Sequence, residues 1–337
     1  MKRPLLTLLA TAMLFSPIAA VTAQADDVRS RMIRFGYGLN ESSNQGRAAK
    51  LFAEEVAKAS EGKLKMRTFA AASLGSDDQM QSALMGGAQE MMVGSTATLV
   101  GITKEMAVWD TPFLFSNEQQ ADAVLDGPVG RQVMDKLEEK GLVGLVYWEN
   151  GFRNMTNNAR PISKLEDFSG IKLRVMPNPV FLETFKLMGA NAVPLPFSEL
   201  FTALETKAVD GQENPFNTIL SSKFYEVQKY LTVTNHVYSP WIVTASKRWW
   251  DGLSATEQGI ILEAAKKARD FERQDTRAEA AKALAQLEEN GMQVNQISAE
   301  EMQRMRERAQ PAIQQVVDTV GQPLFDQVQA ELAKVAN

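Results

Sequence analysis

Arg153 and Arg174 lie about twenty positions apart, in the segments Trp148-Glu149-Asn150-Gly151-Phe152-Arg153 and Ile171-Lys172-Leu173-Arg174-Val175. Gly211-Gln212-Glu213-Asn214-Pro215 follows about forty positions later. A guanidinium donates two parallel hydrogen bonds to a carboxylate and does not lose its proton, so the chemistry on offer is recognition of an organic anion. The rest of the chain carries little equipment for transforming one. Cysteine is absent, which excludes disulfides, a thiol nucleophile, thiolate metal sites and lipid attachment through sulfur. The single histidine, His236, reads as structural, and with it go Ser-His and Cys-His machinery and most transition-metal sites. The acid pairs Asp77-Asp78 and Glu54-Glu55 read as solvent-facing, and Gly86-Gly87 lacks the lysine of a phosphate loop. No catalytic residue, metal or cofactor is expected.

Each candidate has a plain alternative. Ile171, Leu173 and Val175 alternate as the buried face of a strand, which turns Arg174 to the opposite face, either a solvated edge or a site. Position favours the site: Arg174 falls near the strand's end, and Pro177-Asn178 then open a helix whose free N–H groups suit an anion. Arg153, after a Glu-Asn-Gly turn, is an anion ligand or a surface partner of Glu149 or a neighbouring acid. Asn214 both donates and accepts, as a ligand or as a backbone-satisfying amide. Phe197, after Pro194-Leu195-Pro196, walls a pocket or staples the helix it precedes. Trp148, Glu149 and Gln212 belong to the same segments and join the candidate set.

The elements that must hold these residues follow an α/β pattern. Residues 32–37 alternate as a strand, the next helix carries Ala48, Leu51, Phe52 and Val56 on one face, and residues 64–69 alternate again. Helix is expected over 79–85 and 119–140 (broken near Gly127-Pro128), over 179–187, and over 198–206 with Ser198 as cap. Strands are expected over 90–94, 143–148 and 171–176. The alanine-rich stretch 254–289, capped by Ser254, predicts one long helix, followed by helices over 299–310 and 323–335.

The start of the chain has the layout of a secretory signal peptide. Lys2 and Arg3 precede an apolar run broken by Ser16 and Pro17, and Ala23-Gln24-Ala25 offers a small-x-small cleavage site. Cleavage there leaves 337 − 25 = 312 residues with a net charge of −5 − 2 = −7. That length supports two domains, and the acidity with no basic block argues against nucleic acid. The domain reading is 1–25 signal peptide, 26–150 mainly a first α/β domain, and 151–240 mainly a second. Residues 241–337 then supply a crossing strand, the long connecting helix and C-terminal helices packing on both domains.

The ordered motifs complete the reading. They include Leu74-Gly75-Ser76-Asp77-Asp78, Asp110-Thr111-Pro112-Phe113-Leu114-Phe115, Trp148 to Arg153, Leu173-Arg174-Val175, Phe197-Ser198-Glu199-Leu200, Ala203-Leu204-Glu205-Thr206, Val209 to Pro215 and Lys223-Phe224-Tyr225-Glu226-Val227. Over essentially the whole mature chain they resemble the DctP-type periplasmic solute-binding subunit of TRAP transporters. The resemblance implies a two-domain periplasmic binding protein fold, type II-like, with a long domain-spanning helix. It implies a ligand carboxylate held by Arg174, assisted by Arg153 and Asn214, with Phe197 lining the pocket. Asn40, Glu41, Ser42 and the rest of the loop to Asn44 would contact the ligand's far end, as would Asp77 and Ser95. Sialic-acid-binding members have a carboxylate where this chain has Ser95, which argues against sialic acid.

The expected ligand is a sugar acid, either a hexuronate or an aldonate. A C4-dicarboxylate or 2-oxo acid is the runner-up within the same transporter class. A periplasmic enzyme on acidic sugars, such as a lyase, lacks an evident base, and a purely structural periplasmic protein would bind no ligand. The expected partners are the small organic acid and the TRAP membrane permease, with the protein monomeric in the periplasm.

Overall fold

The computed structural model describes residues 27–335, so the signal-peptide reading of residues 1–25 lies outside the described residues. The chain opens with β1 (Arg31–Tyr37), α1 (Asn44–Ala59) and β2 (Leu64–Phe69), then α2 (Asp77–Met85) and β3 (Met91–Ser95). Next come α3 (Glu118–Leu125), α4 (Pro128–Asp135), and β4 (Leu142–Phe152) running almost directly into β5 (Asn154–Asn157). A second set of short elements follows: β6 (Lys172–Val175), α5 (Pro179–Leu187), β7 (Asn191–Pro194), α6 (Leu200–Glu205), β8 (Gly211–Asn214), α7 (Phe216–Ser221) and β9 (Tyr230–Val233). The chain then forms β10 (Tyr238–Ser246), α8 (Lys247–Trp250), α9 (Ala255–Glu289) and β11 (Gln293–Gln296). It finishes with α10 (Ala299–Arg308), α11 (Gln310–Val320) and α12 (Gln322–Lys334).

Two mixed sheets organise these elements. One has the order β2-β1-β3-β10-β4 and the other β11-β9-β5-β8-β6-β7. The first is buried on both faces, as strand parity requires: Val146 and Trp148 of β4 pack with Phe35, Phe52 and α9, while Tyr147 packs on the other side with Trp109 and Leu137. In β6, Leu173 and Val175 enter the core of the second lobe, leaving Arg174 on the opposite face.

The chain passes between the sheets at two adjacent points. Phe152–Asn154 leads from β4 into β5, and residues 234–237 lead from β9 back to β10. These crossings are bonded to each other through Arg153 N–H to Val237 O (2.9 Å) and His236 N–H to Arg153 O (3.3 Å). The third link is α9, 35 residues long and hence about 52 Å from end to end. Ile261, Ala264, Ala265 and Ala268 pack in the first lobe's core and Leu287 in the second's.

Side-chain caps start half of the α-helices among the described residues. Ser43 accepts from Gly46 N–H, and Ser76 and Ser254 form capping boxes with Gln79 and Glu257. Ser198 does not cap: Phe197–Glu199 make a 3-10 turn and α6 begins at Leu200 without a side-chain cap. The C-terminal region also holds a helix beyond the expected pair, because Pro311 falls in the first turn of α11, where its missing N–H is harmless.

Glu257 is fully buried and accepts from Ser254 N–H, Arg29 N–H and both Nε and Nη2 of Arg31. Glu257→Ala is therefore expected to destabilise the protein by about 2–3 kcal/mol, against about 1 kcal/mol for Ser254→Ala. Urea unfolding monitored by tryptophan fluorescence would check that order, and equal losses would refute it.

Candidate functional site

Arg174, Arg153, Asn214, Phe197, Asp77 and Ser95 all line one cavity between the lobes. Arg174 is only 1% exposed, so the solvated-edge alternative does not describe it. Its Nε donates to Leu195 O at 2.8 Å, and its Nη1 is buried without a hydrogen-bond partner. Burial pulls this guanidinium down to about 10, while the nearby Glu213 and Asp77 carboxylates oppose that and Arg153 adds to it.

Arg153 is buried too, and its acid is Glu213 rather than Glu149. Its Nε contacts Glu213 Oε2, its Nη2 donates to Oε1 at 2.8 Å and also to the Glu213 carbonyl, and Phe181 stands 5.5 Å from the guanidinium carbon. Nη1 of Arg153, like that of Arg174, is buried and unpartnered. His236 completes the cluster with Nε2 3.0 Å from Glu213 Oε2 and Nδ1 2.8 Å from Thr234 Oγ1. Burial alone would push Glu213 up, yet Arg153 and His236 hold it at about 2. Burial lowers His236, against the pull of Glu213, which keeps the ring neutral at pH 7. A neutral ring facing a carboxylate must carry its proton on Nε2, so Nδ1 accepts from Thr234.

Asn214 is buried beside the arginines, its Nδ2 donating to Gln212 Oε1 at 2.5 Å, which leaves its own oxygen as an acceptor. Asp77, half-buried as a residue, turns its carboxyl inward and accepts from Ser95 N–H at 3.0 Å. The carboxyl fills the space a Cβ at Gly94 would need, 2.9 Å from Oδ2. Burial pushes Asp77 up to about 6, with the Ser95 N–H working the other way.

Several candidates lie away from the cavity. Trp148 is a core residue in edge contact with Phe35. Glu149 points to α9, where Arg277 donates to it from Nε (2.9 Å) and Nη2 (2.6 Å). Gln212 bonds Thr156. Asn178 caps α5 with its oxygen and spends its amide on Ala97 O and Asp110 Oδ2, both at 2.8 Å. Asn40 reaches Ser221 O at 2.7 Å and bonds Ser42, while Glu41 and Ser42 are exposed. In place of that loop, Leu39 and Gln45 face the cavity.

Asn150, Thr218 and Trp241 also line the cavity and were not singled out from the sequence. Asn150 has a structural signal: the β4–β10 register passes from Glu149 opposite Pro240 to Gly151 opposite Ser239, leaving Asn150 as the extra residue of a bulge. A bulge re-aims a side chain, and Gly151 with φ +111 takes up the turn. Asn150 then accepts from Thr218 Oγ1 at 2.9 Å.

Two α/β lobes, two strand crossovers, a bridging helix and an arginine-lined cavity between the lobes define a solute-binding protein. The model of the bacterial extracellular solute-binding proteins, family 7 (DctP), matches residues 35–319, and the chain belongs to that family, whose members serve TRAP transporters in the periplasm as binding proteins rather than enzymes. It is similar to the 2,3-diketo-L-gulonate-binding periplasmic protein YiaO of Escherichia coli K12, with 36% identity over 278 residues, 82% of this chain and 85% of the relative. The sugar acid binding protein DctPAm of Advenella mimigardefordensis, solved in complex with galactonate, is 50% identical with a TM-score of 0.90, covering 91% of this chain and 99% of that one. A TRAP periplasmic solute binding protein of Polaromonas sp. JS666 bound to D-erythronate is 37% identical with a TM-score of 0.85, covering 89% and 98%.

The raised Asp77 carboxyl gives a signed prediction. Its folded value of about 6 exceeds the unfolded value of about 4, so the fold holds this proton more tightly and stability falls as pH rises from about 4 to about 6. The cost, at most about 3 kcal/mol, is complete above that window. Asp77→Asn should therefore be more stable than the parent at pH 8, with the gap closing at pH 4. A gap that is equal at both pH values in urea unfolding would contradict the assignment.

Proposed function

We propose that this TRAP solute-binding protein captures a sugar acid, a hexuronate or an aldonate, by a bidentate pair between Arg174 and the ligand carboxylate. The observation that carries the reading is Arg174 itself: a guanidinium 1% exposed, lining the cavity, with a buried Nη1 that no protein group accepts from. A buried charge is stable when paired, and an anion in the cavity supplies that partner. Arg153 assists with its free Nη1, and the oxygen of Asn214 accepts from a ligand hydroxyl. Phe197 and Trp241 offer apolar walls to the carbon chain, while Asp77, Ser95, Asn150 and Thr218 offer partners to its hydroxyls. Relatives whose ligands are galactonate, D-erythronate and 2,3-diketo-L-gulonate support the class.

Contacts made from both lobes exist together only in the closed form, so ligand shifts the population toward closure, and the closed surface is what the membrane permease receives. In this reading the chain is exported, loses residues 1–25 and works as a monomer. Arg174→Ala is expected to lose about 3–5 kcal/mol of binding, enough to abolish a measurable calorimetric signal for galactonate, while its melting curve stays cooperative. Near-parent affinity in that variant would sink the carboxylate assignment.

A further inference from the structure

The cavity's charges are nearly balanced by the protein itself. Arg153 is neutralised in place by both carboxylate oxygens of Glu213, and His236 beside it is held neutral by burial. That leaves one cation without a side-chain anion in contact, Arg174, and one inward carboxyl, Asp77, in the same cavity. Among the described residues Asp77 accepts from Ser95 N–H alone, so its remaining lone pairs are available to donors on a ligand. Asp78, its neighbour at the cavity's rim, is exposed, so water and salt screen its charge.

We infer that Asp77 is a specificity-determining residue: it accepts hydroxyl donors from the ligand's far end and repels a second carboxylate, making the cavity selective for monocarboxylate polyols over the diacids of the same carbon chain. This rests on the Arg174–carboxylate reading and deepens it. One carboxylate at Arg174 is matched by a cation. A second, placed in the same enclosed space, has no unpaired cation to meet and faces Asp77 at low dielectric. A protonated Asp77 would donate to a second carboxylate as readily as to a hydroxyl. The discrimination therefore belongs to the ionised form, which dominates well above the folded value of about 6.

The test is calorimetric titration of the full mature chain at pH 8 with matched acids differing only at the far carbon: galactonate and galactarate, gluconate and glucarate, erythronate and tartrate. For each monoacid that binds, the diacid is expected to be at least about 30-fold weaker, the size of effect that like-charge juxtaposition produces. Asp77→Asn, which keeps the shape and removes the charge, is expected to narrow that ratio to about fivefold, chiefly by gaining diacid affinity, with Asp78→Asn leaving it near the parent's. Parent affinities for monoacid and diacid within about threefold of each other would overturn the inference while leaving Arg174 capture intact. So would an unchanged ratio in Asp77→Asn, or a gap closed by Asp78→Asn instead. If Asp77→Asn does not fold, Asp77→Ser and the parent ratio decide. Binding of diacids alone, or of neither set, would take down the sugar-acid reading and this inference with it.

Discussion

The buried pair between Arg153 and Glu213 is the constraint around which the site is arranged. It sits where two strand crossovers pass side by side, so one fork of hydrogen bonds ties β4–β5, the β9–β10 connection and β8 together. A buried ion pair is weak evidence for net stability, since desolvation offsets most of its attraction. Its contribution here is orientation. With Nε and Nη2 both committed to Glu213, the one remaining nitrogen of Arg153, Nη1, is buried without a partner in a residue that lines the cavity, and the next residue along β8, Asn214, lines it too. Two arginines in one small volume are tolerable because one has brought its own anion.

A second ionic system ties the bridging helix to the same strand. Arg273 and Arg277 of α9 reach Asp122, Asp126 and Glu149, and Glu272 accepts from the Glu149 N–H at 2.8 Å. Burial pushes Glu272 up to about 8, aided by neighbouring Glu149, while the Glu149 N–H and the Thr276 hydroxyl work the other way. Glu149 turned toward α9 and Asn150 turned into the cavity are adjacent residues with opposite duties, and the bulge between β4 and β10 separates them.

Much of this was legible in the sequence, and the limits were physical. Elements with a long amphipathic repeat or a serine cap, such as α1 and α9, were readable because local energetics and tertiary packing agree there. The four-residue strands β5, β7, β8, β9 and β11 are too short for alternation to show, and tertiary pairing alone makes them strands. Parity put Arg174 on the right face, but nothing local linked Arg153 to an acid sixty positions away. Asn178 is a candidate because it opens the helix after the Arg174 strand, and Asn40 because the family resemblance assigns its loop to the ligand; in the fold, capping and a bond to Ser221 use their amides. Asn150 lay inside a segment already singled out, yet only pairing with β10 creates the bulge that aims it.

The near-complete covering of Arg174 has a kinetic consequence. Under the proposed capture by Arg174, a guanidinium that is 1% exposed is reached only from molecules in which the lobes have parted, and the closed unliganded form acts as a competitor to the solute. The apparent dissociation constant then exceeds the intrinsic one by the reciprocal of the open fraction, and the arrival rate is throttled by the same factor. Residues outside the cavity's lining that hold the lobes together, Asn40 against Ser221 among them, thereby enter the affinity without touching the solute: tightening them slows release and also makes capture rarer.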